Sequence, residues 1–397
     1  MLKKFRFSKN DRGYSDISFP ILRRTIIPVT NWLFDPVIVH PENMPVTGPC
    51  FIFGNHSNHF DAFLINVKMT REPTAGVMTR EQFHKTFPRI AMDSIGIVPT
   101  SKYIPEPGIV RDIFRMIDQK RMIVIFPEGG RRWDGRPKPF IDSTLKLFWK
   151  MKIPVHPVQI HGSYLGWPRW ADWPRKNRME LRFLKPLDPG SFSGFKTFAQ
   201  TCRDSVQFEE YDPPLATHPY TSWRPAAGIS RFLYRCPVTG ESGAIFTPDG
   251  KIVRSHACGF EYTIDHASRL TDTRGEKHSI IDMYDHINTM PIARIDDDTI
   301  LRADWRNFYR LDKQAGLKPL GKGSIALTEY AVRYKIGSLR GEIPLDAIRA
   351  VSIEQNHKIA FSTDRETIQV NLEGLSTLQW QLYIRRLKSN EKVVKRL

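Results

Sequence analysis

From about Pro49 to about residue 210, short apolar runs alternate with stretches of helical period; beyond that point the helical pattern nearly vanishes. In the first part, "CFIFG" reads as a buried strand, "AFLINVKM" as a helix, "SIGIVPT" as a strand and "GIVRDIFRMIDQ" as an amphipathic helix. "RMIVIFP" and "IPVHPVQIHG" supply further strands. Strands interleaved with helices predict an α/β domain, a mixed sheet flanked by helices. Pro154 and Pro157 predict an edge strand or loop wall, since proline donates nothing to a ladder. Residues 211–228, "YDPPLATHPYTSWRPAAG", carry four prolines and no apolar periodicity, which predicts a linker. Past it, turn signals such as "VTGESG", "TPDG" and "KIGSLRGE" separate short alternating runs, a β-rich pattern. The chain closes on "STLQWQLYIRRLK", with Ser376 as the expected N-cap of a terminal helix. The expected divisions are therefore 1–47, an α/β domain over 48–210, the linker 211–228, a β-rich region over 229–300 and a β domain with a terminal helix over 301–397.

Residues 18–40, "SFPILRRTIIPVTNWLFDPVIVH", mix large apolar residues with an arginine pair. Arg23, Arg24, Pro28 and Pro36 predict short helical pieces, which either lie in a headgroup layer or pack on the domain core. The formal net charge is +17, an excess that attracts acidic partners: nucleic acid, an anionic membrane surface, or an acidic substrate or carrier protein. Lys3, Lys4, Arg6 and Lys9 would each contribute about 1 kcal/mol near an anionic leaflet. No RNP-like or helix-turn-helix pattern supports nucleic acid. Four scattered cysteines without a CxxC pair exclude a disulfide framework and suit a reducing compartment. The basic start lacks an apolar h-region, so export is not expected, and no run of eighteen apolar residues predicts a membrane span. Cys236 and Cys258 with His256 could ligate zinc, but their spacing is wrong for a standard site, and isolated cysteines are usually core residues; no metal is assigned to the candidate site.

Two stretches concentrate chemistry. "FIFGNHSNHFDAF" places His56, His59 and Asp61 directly after a strand. On an ideal helix, positions five apart lie about 140° apart, so His56 and Asp61 meet only if the histidine precedes the helix that Asp61 begins. The carboxylate would then orient the imidazole as a general base. Three other roles stay open here: Asp61 as a helix cap, His59 as its partner, and metal binding by all three. The second stretch is "IVIFPEGGRRWDGRPKPF", where a strand opens into Glu128, Gly129, Gly130, Arg131 and Arg132. Two glycines allow backbone N–H groups to converge, and arginines add forked donors, a combination suited to phosphate. A solvated turn with surface arginines is the competing account. Lys102, after "GIVPTS", would add a cation at the same sheet edge.

Taken in order, these blocks resemble the glycerolipid acyltransferase family, the 1-acylglycerol-3-phosphate acyltransferases and their relatives. NHxxxxD matches "NHSNHFD", GxxxxxR is approximated by Gly96 through Lys102, FPEGTR by "FPEGGR", and the proline-rich fourth block by "IPVHPV". The resemblance covers roughly residues 30–215. It implies acyl transfer from acyl-CoA or an acyl-carrier protein to the hydroxyl of a lysophospholipid acceptor, with no cofactor. It also implies His56 as base, Asp61 as its orienter, Arg131 and Lys102 on the acceptor phosphate, and Glu128, Gly129 and Gly130 shaping that loop. Lysine for arginine at 102, and Arg132 and Trp133 where small polar residues are usual, leave a different lysolipid acceptor open, as does an inactive headgroup-binding relative. The expected location is peripheral, on the cytoplasmic face of a membrane. Residues 323–387 are similar to PH-like or GRAM-like modules, which implies a lipid-contacting or protein-packing domain.

Overall fold

The computed structural model describes residues 6–69, 71–79, 86–100, 107–211, 220–265, 268–312, 316–391 and 393–394. They form two compact units, one of residues 1–169 and 174–222, the other of 170–173 and 223–397. Residues 1–47 thus share a unit with the α/β domain, and no unit boundary falls at 300/301.

In the first unit the elements run α1 (Ser18–Phe34), β1 (Val37–Val39), β2 (Cys50–Gly54), α2 (Asp61–Lys68), β3 (Ala75–Thr79), α3 (Thr86–Ser94) and β4 (Ile97–Thr100). They continue with α4 (Pro107–Asp118), β5 (Met122–Val124), α5 (Asp142–Met151), β6 (Val155–His161), α6 (Ser163–Gly166), β7 (Glu180–Phe183) and α7 (Phe195–Val206). Among the described residues the strands make one seven-stranded sheet in the order β1-β7-β6-β2-β5-β3-β4. Neighbours are parallel except at β6/β7, so β1 and β7 run against the rest.

Strand β2 is buried throughout, and its period of two feeds both faces of the sheet. Phe51 and Phe53 join the core with Ile123, Phe148 and Phe198. Cys50 and Ile52 join the opposite core with Phe34, Leu64 and Val124. Phe51 and Phe53 lie 4.7 and 5.7 Å from the Phe148 ring. Gly54 closes the strand because a Cβ there would sit 2.6 Å from the Val158 carbonyl oxygen.

Two expectations are corrected. Strand β6 is interior, between β7 and β2, despite its prolines. Pro157 sits one residue before the first antiparallel pair, Val158 with Phe183, and its carbonyl accepts the Leu184 N–H at 3.0 Å. Its missing donor therefore falls where the ladder ends. Residues 18–34 form one helix through Pro28 instead of short pieces. The break comes at Asp35, in left-handed geometry before Pro36, with its N–H on the Asn31 carbonyl. Within α1, Phe19, Thr30 and Phe34 are buried, whereas Ile21, Val29 and Trp32 are exposed, so the helix is apolar on two sides. No helix of the described residues is long and apolar enough to cross a membrane.

The second unit is β-rich. Strands β8 (Ile245–Phe246), β9 (Ile252–Ser255), β10 (Glu261–Ile264), β11 (Leu270–Asp272) and β12 (Lys277–His278) form a small antiparallel sheet, followed by α8 (Ile280–Thr289) and β13 (Ile292–Ala293). A larger antiparallel sheet follows from β14 (Thr299–Asp312), β15 (Gly316–Thr328), β16 (Ala331–Ile336), β17 (Leu339–Pro344), β18 (Ala350–Glu354), β19 (Lys358–Ser362) and β20 (Thr367–Asn371). Its order is β17-β16-β15-β14-β20-β19-β18. Helix α9 (Thr377–Lys388) closes it, capped by Ser376 Oγ accepting the Gln379 N–H at 3.1 Å and burying Leu378, Trp380, Leu382 and Ile384; β21 (Val393–Val394) then pairs with β13.

Truncating Phe51 to alanine is expected to cost the first unit about 3–5 kcal/mol, because the surrounding rings cannot close the cavity. Val110→Ser, on the outer side of α4, is expected to stay within about 0.5 kcal/mol. Urea unfolding of the two variants against the parent protein checks both.

Candidate functional site

The chain leaves β2 at Gly54 and is held against β6 by Asn55, whose side chain continues the strand pairing. Its Oδ1 accepts the Ile160 N–H at 2.8 Å, and its Nδ2 donates to the Ile160 carbonyl at 3.0 Å. That fixes the turn before α2, and His56 Nδ1 lies 2.8 Å from Asp61 Oδ2. Asp61 is fully buried, and both its oxygens are occupied. Oδ2 also accepts the N–H groups of Ser57 at 2.8 Å and Asn58 at 2.9 Å, while Oδ1 accepts the Ser163 hydroxyl at 2.5 Å. These donors precede the helix or come from α6, so Asp61 is not acting as a cap for α2.

The His56 ring stacks on Phe126, centroids 4.3 Å apart and planes 17° apart, and its side chain keeps 23% of its surface exposed. With Nδ1–H given to the carboxylate, the lone pair resides on Nε2. His59 is turned elsewhere, packing edge-on against Trp167 at 5.3 Å. Of the two histidines, His56 is therefore the partner of Asp61.

The glycine-rich loop after β5 closes on the same point. Gly129 adopts φ +65°, a conformation that L side chains rarely take. The Arg132 N–H donates to the His56 carbonyl at 2.8 Å, tying this loop to the histidine turn. Arg132 is fully buried and forks onto Glu128, with Nη2–Oε1 at 2.7 Å and Nε–Oε2 at 3.1 Å. Its Nη1 reaches Glu210 Oε1 at 3.2 Å and the Phe208 carbonyl at 2.8 Å. Glu210 also accepts the Ser57 hydroxyl and, at 2.9 Å, the Tyr164 N–H. One guanidinium thus serves two buried carboxylates. Burial opposes the Arg132 charge, but Glu210 and Glu128 outweigh it and hold its pKa above the ordinary value. Burial raises Glu128 as well, and it pushes the surplus carboxylate, Glu210, up to about 7. Lys138 Nζ donates to the Gly130 carbonyl at 2.9 Å and to that of Glu128 at 3.3 Å, bracing the loop from the far side.

Arg131 faces differently from Arg132. It is nine-tenths buried, and its carbonyl accepts from Arg169 Nη1 at 2.8 Å. The Arg169 guanidinium lies over the Trp133 ring, 4.4 Å from its centroid. Burial, and after it the charge of Arg169, bring Arg131 down to about 9, against the opposing pull of Asp61. The structure therefore gathers His56, Asp61 and Arg131, with Glu128, Gly129 and Gly130 forming the loop that carries the arginine. Lys102 lies outside the described residues. Glu128 is committed to Arg132. Ser163, Arg169 and Glu210 were not singled out from the sequence; each lies far along the chain from the histidine turn, and no spacing marks them. Beside α2, Ala62 and Phe63, which follow Asp61, line an apolar recess with Phe19, Leu22 and Ile26 of α1.

Residues 36–161 match the model of the Acyltransferase family. The chain is 24% identical over 137 residues to a 1-acyl-sn-glycerol-3-phosphate acyltransferase of Limnanthes alba, covering 34% of this chain and 48% of the relative. It is 29% identical over 89 residues to one of Cocos nucifera, covering 22% and 26%. It thus spans about half the length, or less, of these relatives. Among solved structures it is similar to the 1-acyl-sn-glycerophosphate acyltransferase PlsC of Thermotoga maritima, 20% identical, covering 47% of this chain and 78% of that one at a TM-score of 0.40. The stretch that matches the Acyltransferase family model, residues 36–161, thus contains the histidine turn, the glycine-rich loop and β6.

Proposed function

We propose that the protein is a membrane-surface O-acyltransferase that moves a fatty acyl group from a thioester, acyl-CoA or acyl-carrier protein, to the hydroxyl of a lysophospholipid, with 1-acylglycerol-3-phosphate the best-fitting acceptor. The observation that carries this is the 2.8 Å contact of His56 Nδ1 with a carboxylate that four donors hold in place. An imidazole so oriented takes the acceptor's hydroxyl proton on Nε2 as the oxygen attacks the thioester carbonyl. The buried Asp61 charge stabilises the imidazolium that forms. Collapse of the tetrahedral intermediate expels the thiolate, which recovers that proton, and no acyl-enzyme is required. Arg131 and Arg169 offer two guanidiniums for the acceptor's phosphate, whose charge would offset the burial and the Arg169 repulsion that lower Arg131. The apolar recess beside α2 suits an acyl chain. The relatives named 1-acyl-sn-glycerol-3-phosphate acyltransferases agree with this choice of acceptor.

Membrane association rests on α1. Ile21, Val29 and Trp32 are exposed on a helix whose other side is packed into the domain, and Arg23, Arg24 and Arg71 line a recess at its N-terminal end. An apolar outer stripe beside arginines suits a helix lying in an anionic headgroup layer, which on this proposal is the cytoplasmic leaflet.

Three outcomes are expected. His56→Ala and Asp61→Asn each lower thiol release from acyl-CoA in the presence of lysophosphatidate roughly 10²- to 10⁴-fold; activity retained in both variants would refute the assignment. Arg169→Ala raises KM for lysophosphatidate about 10- to 100-fold, the equivalent of one charged hydrogen bond, and leaves phosphate-free lysolipids unaffected, as a steady-state panel of acceptors will report. Trp32→Ser combined with Ile21→Ser reduces cosedimentation with anionic vesicles without lowering thermal stability, since both side chains are exposed.

A further inference from the structure

The second unit contains a pair of thiols that acyl transfer does not use. Cys236 lies between residues 229–231, a single 3₁₀ turn, and β8, whereas Cys258 lies in the turn joining β9 to β10. Although 22 positions apart in the chain, their Sγ atoms are 3.3 Å apart. The surrounding backbone already holds the two turns together: Ile245 pairs with Ser255, and the His256 N–H donates to the Ala244 carbonyl at 3.2 Å. Cys236 is buried and Cys258 is exposed. The Thr239 N–H donates to Cys236 Sγ at 3.4 Å. Burial works to raise the Cys236 pKa, but hydrogen bonds from the Ser255 and Thr239 side chains and from the N–H groups of Thr239 and Val238 outweigh it and bring the thiol below its ordinary value. Cys50 and Cys202 lack such donors in their balance, and burial pushes both up to about 12.

The arrangement is that of two facing turns, Cys236-x-x-Thr239 and Ser255-x-x-Cys258, with a sulfur at one corner of each and a hydroxyl at the other. Two sulfurs with two neutral hydroxyls make a poor zinc site, which takes thiolate, imidazole or carboxylate at all four corners. His256 does not complete it, for it is exposed and directed at Glu241, 3.5 Å away. Among the described residues, the group of three metal-ligating side chains that converge is Asp272, Glu276 and His278, and it includes neither cysteine.

We propose that Cys236 and Cys258 are a redox-active pair that closes to a reversible intramolecular disulfide in the presence of hydrogen peroxide. The exposed Cys258 thiol reacts first: its sulfur takes one oxygen of the peroxide, giving a sulfenic acid and releasing water. The Cys236 thiolate then attacks that sulfur, the S–S bond forms and the S–O bond breaks with loss of hydroxide. The two sulfurs together give up two electrons, and one peroxide is reduced. A disulfide requires the sulfurs to approach to about 2.05 Å, a movement of little more than an ångström between turns that are already paired. The product links the chain on both sides of the β8–β9 hairpin, and two-electron reduction by a dithiol restores it.

The test uses the full chain, reduced and desalted, then treated with hydrogen peroxide, alkylated under denaturing conditions and digested. The expected result is a fall from four alkylatable thiols to two, a cross-linked peptide pair containing Cys236 and Cys258 that is two hydrogens lighter, and recovery of both thiols with dithiothreitol. Cys258→Ser, at an exposed position, should lose the cross-link and keep all three of its thiols through the same treatment. Four thiols surviving peroxide, oxidation of Cys258 to the sulfinic acid without a cross-link, or one equivalent of tightly bound zinc in the protein as purified would each overturn the proposal. None of these readouts depends on acyl transfer.

Discussion

A carboxylate removed from water must have its oxygens satisfied by the protein, and Asp61 is where the first unit meets that demand. Its four donors come from a ring nitrogen, two backbone N–H groups of the preceding turn and a hydroxyl on α6. Because each donor must be placed for the charge to be tolerated, the turn after β2 has little freedom. The position of the His56 ring is a consequence of that constraint, with Phe126 supplying the other wall.

A second buried charge cluster makes the arrangement rigid. Arg132 sits between Glu128 and Glu210, and Glu210 reaches back through Ser57 to the histidine turn. The glycine-rich loop, the histidine turn and the segment after α7 are thereby connected through one guanidinium. Such a network is costly to bury and costly to break by removing one member, which suits positioning better than net stability. Neighbouring arginines in one loop consequently do different things: Arg132 holds the loop together through Glu128 and Glu210, and Arg131 is paired through its carbonyl with Arg169. The same contrast separates the cysteines, since donors lower the Cys236 thiol whereas burial alone dominates at Cys50 and Cys202.

Much of the fold was legible because its signals are local. The apolar run at 50–54, the amphipathic period at 107–118 and the turn residues beyond 228 each depend on side chains close in sequence, and the expected elements lie there. Strand β6 was misjudged because proline propensity is also local, while the end of the β6–β7 ladder is decided by which residues of β7 are present to pair. Helix α1 was expected in pieces for a similar reason; packing of its inner side against the domain carries it through Pro28.

Taken by itself, the order of residues determined the α/β and β-rich halves, the requirement that His56 precede the helix begun by Asp61, and the presence of a cation-bearing loop after a strand. Which histidine faces Asp61, which arginine is structural, and that Ser163, Arg169 and Glu210 complete the site were decided only by tertiary structure. The contacts that bring Ser163, Arg169 and Glu210 to the site join groups from 38 to 153 positions apart, and the choices as a whole follow from the burial of charge, a property that no local pattern of residues records.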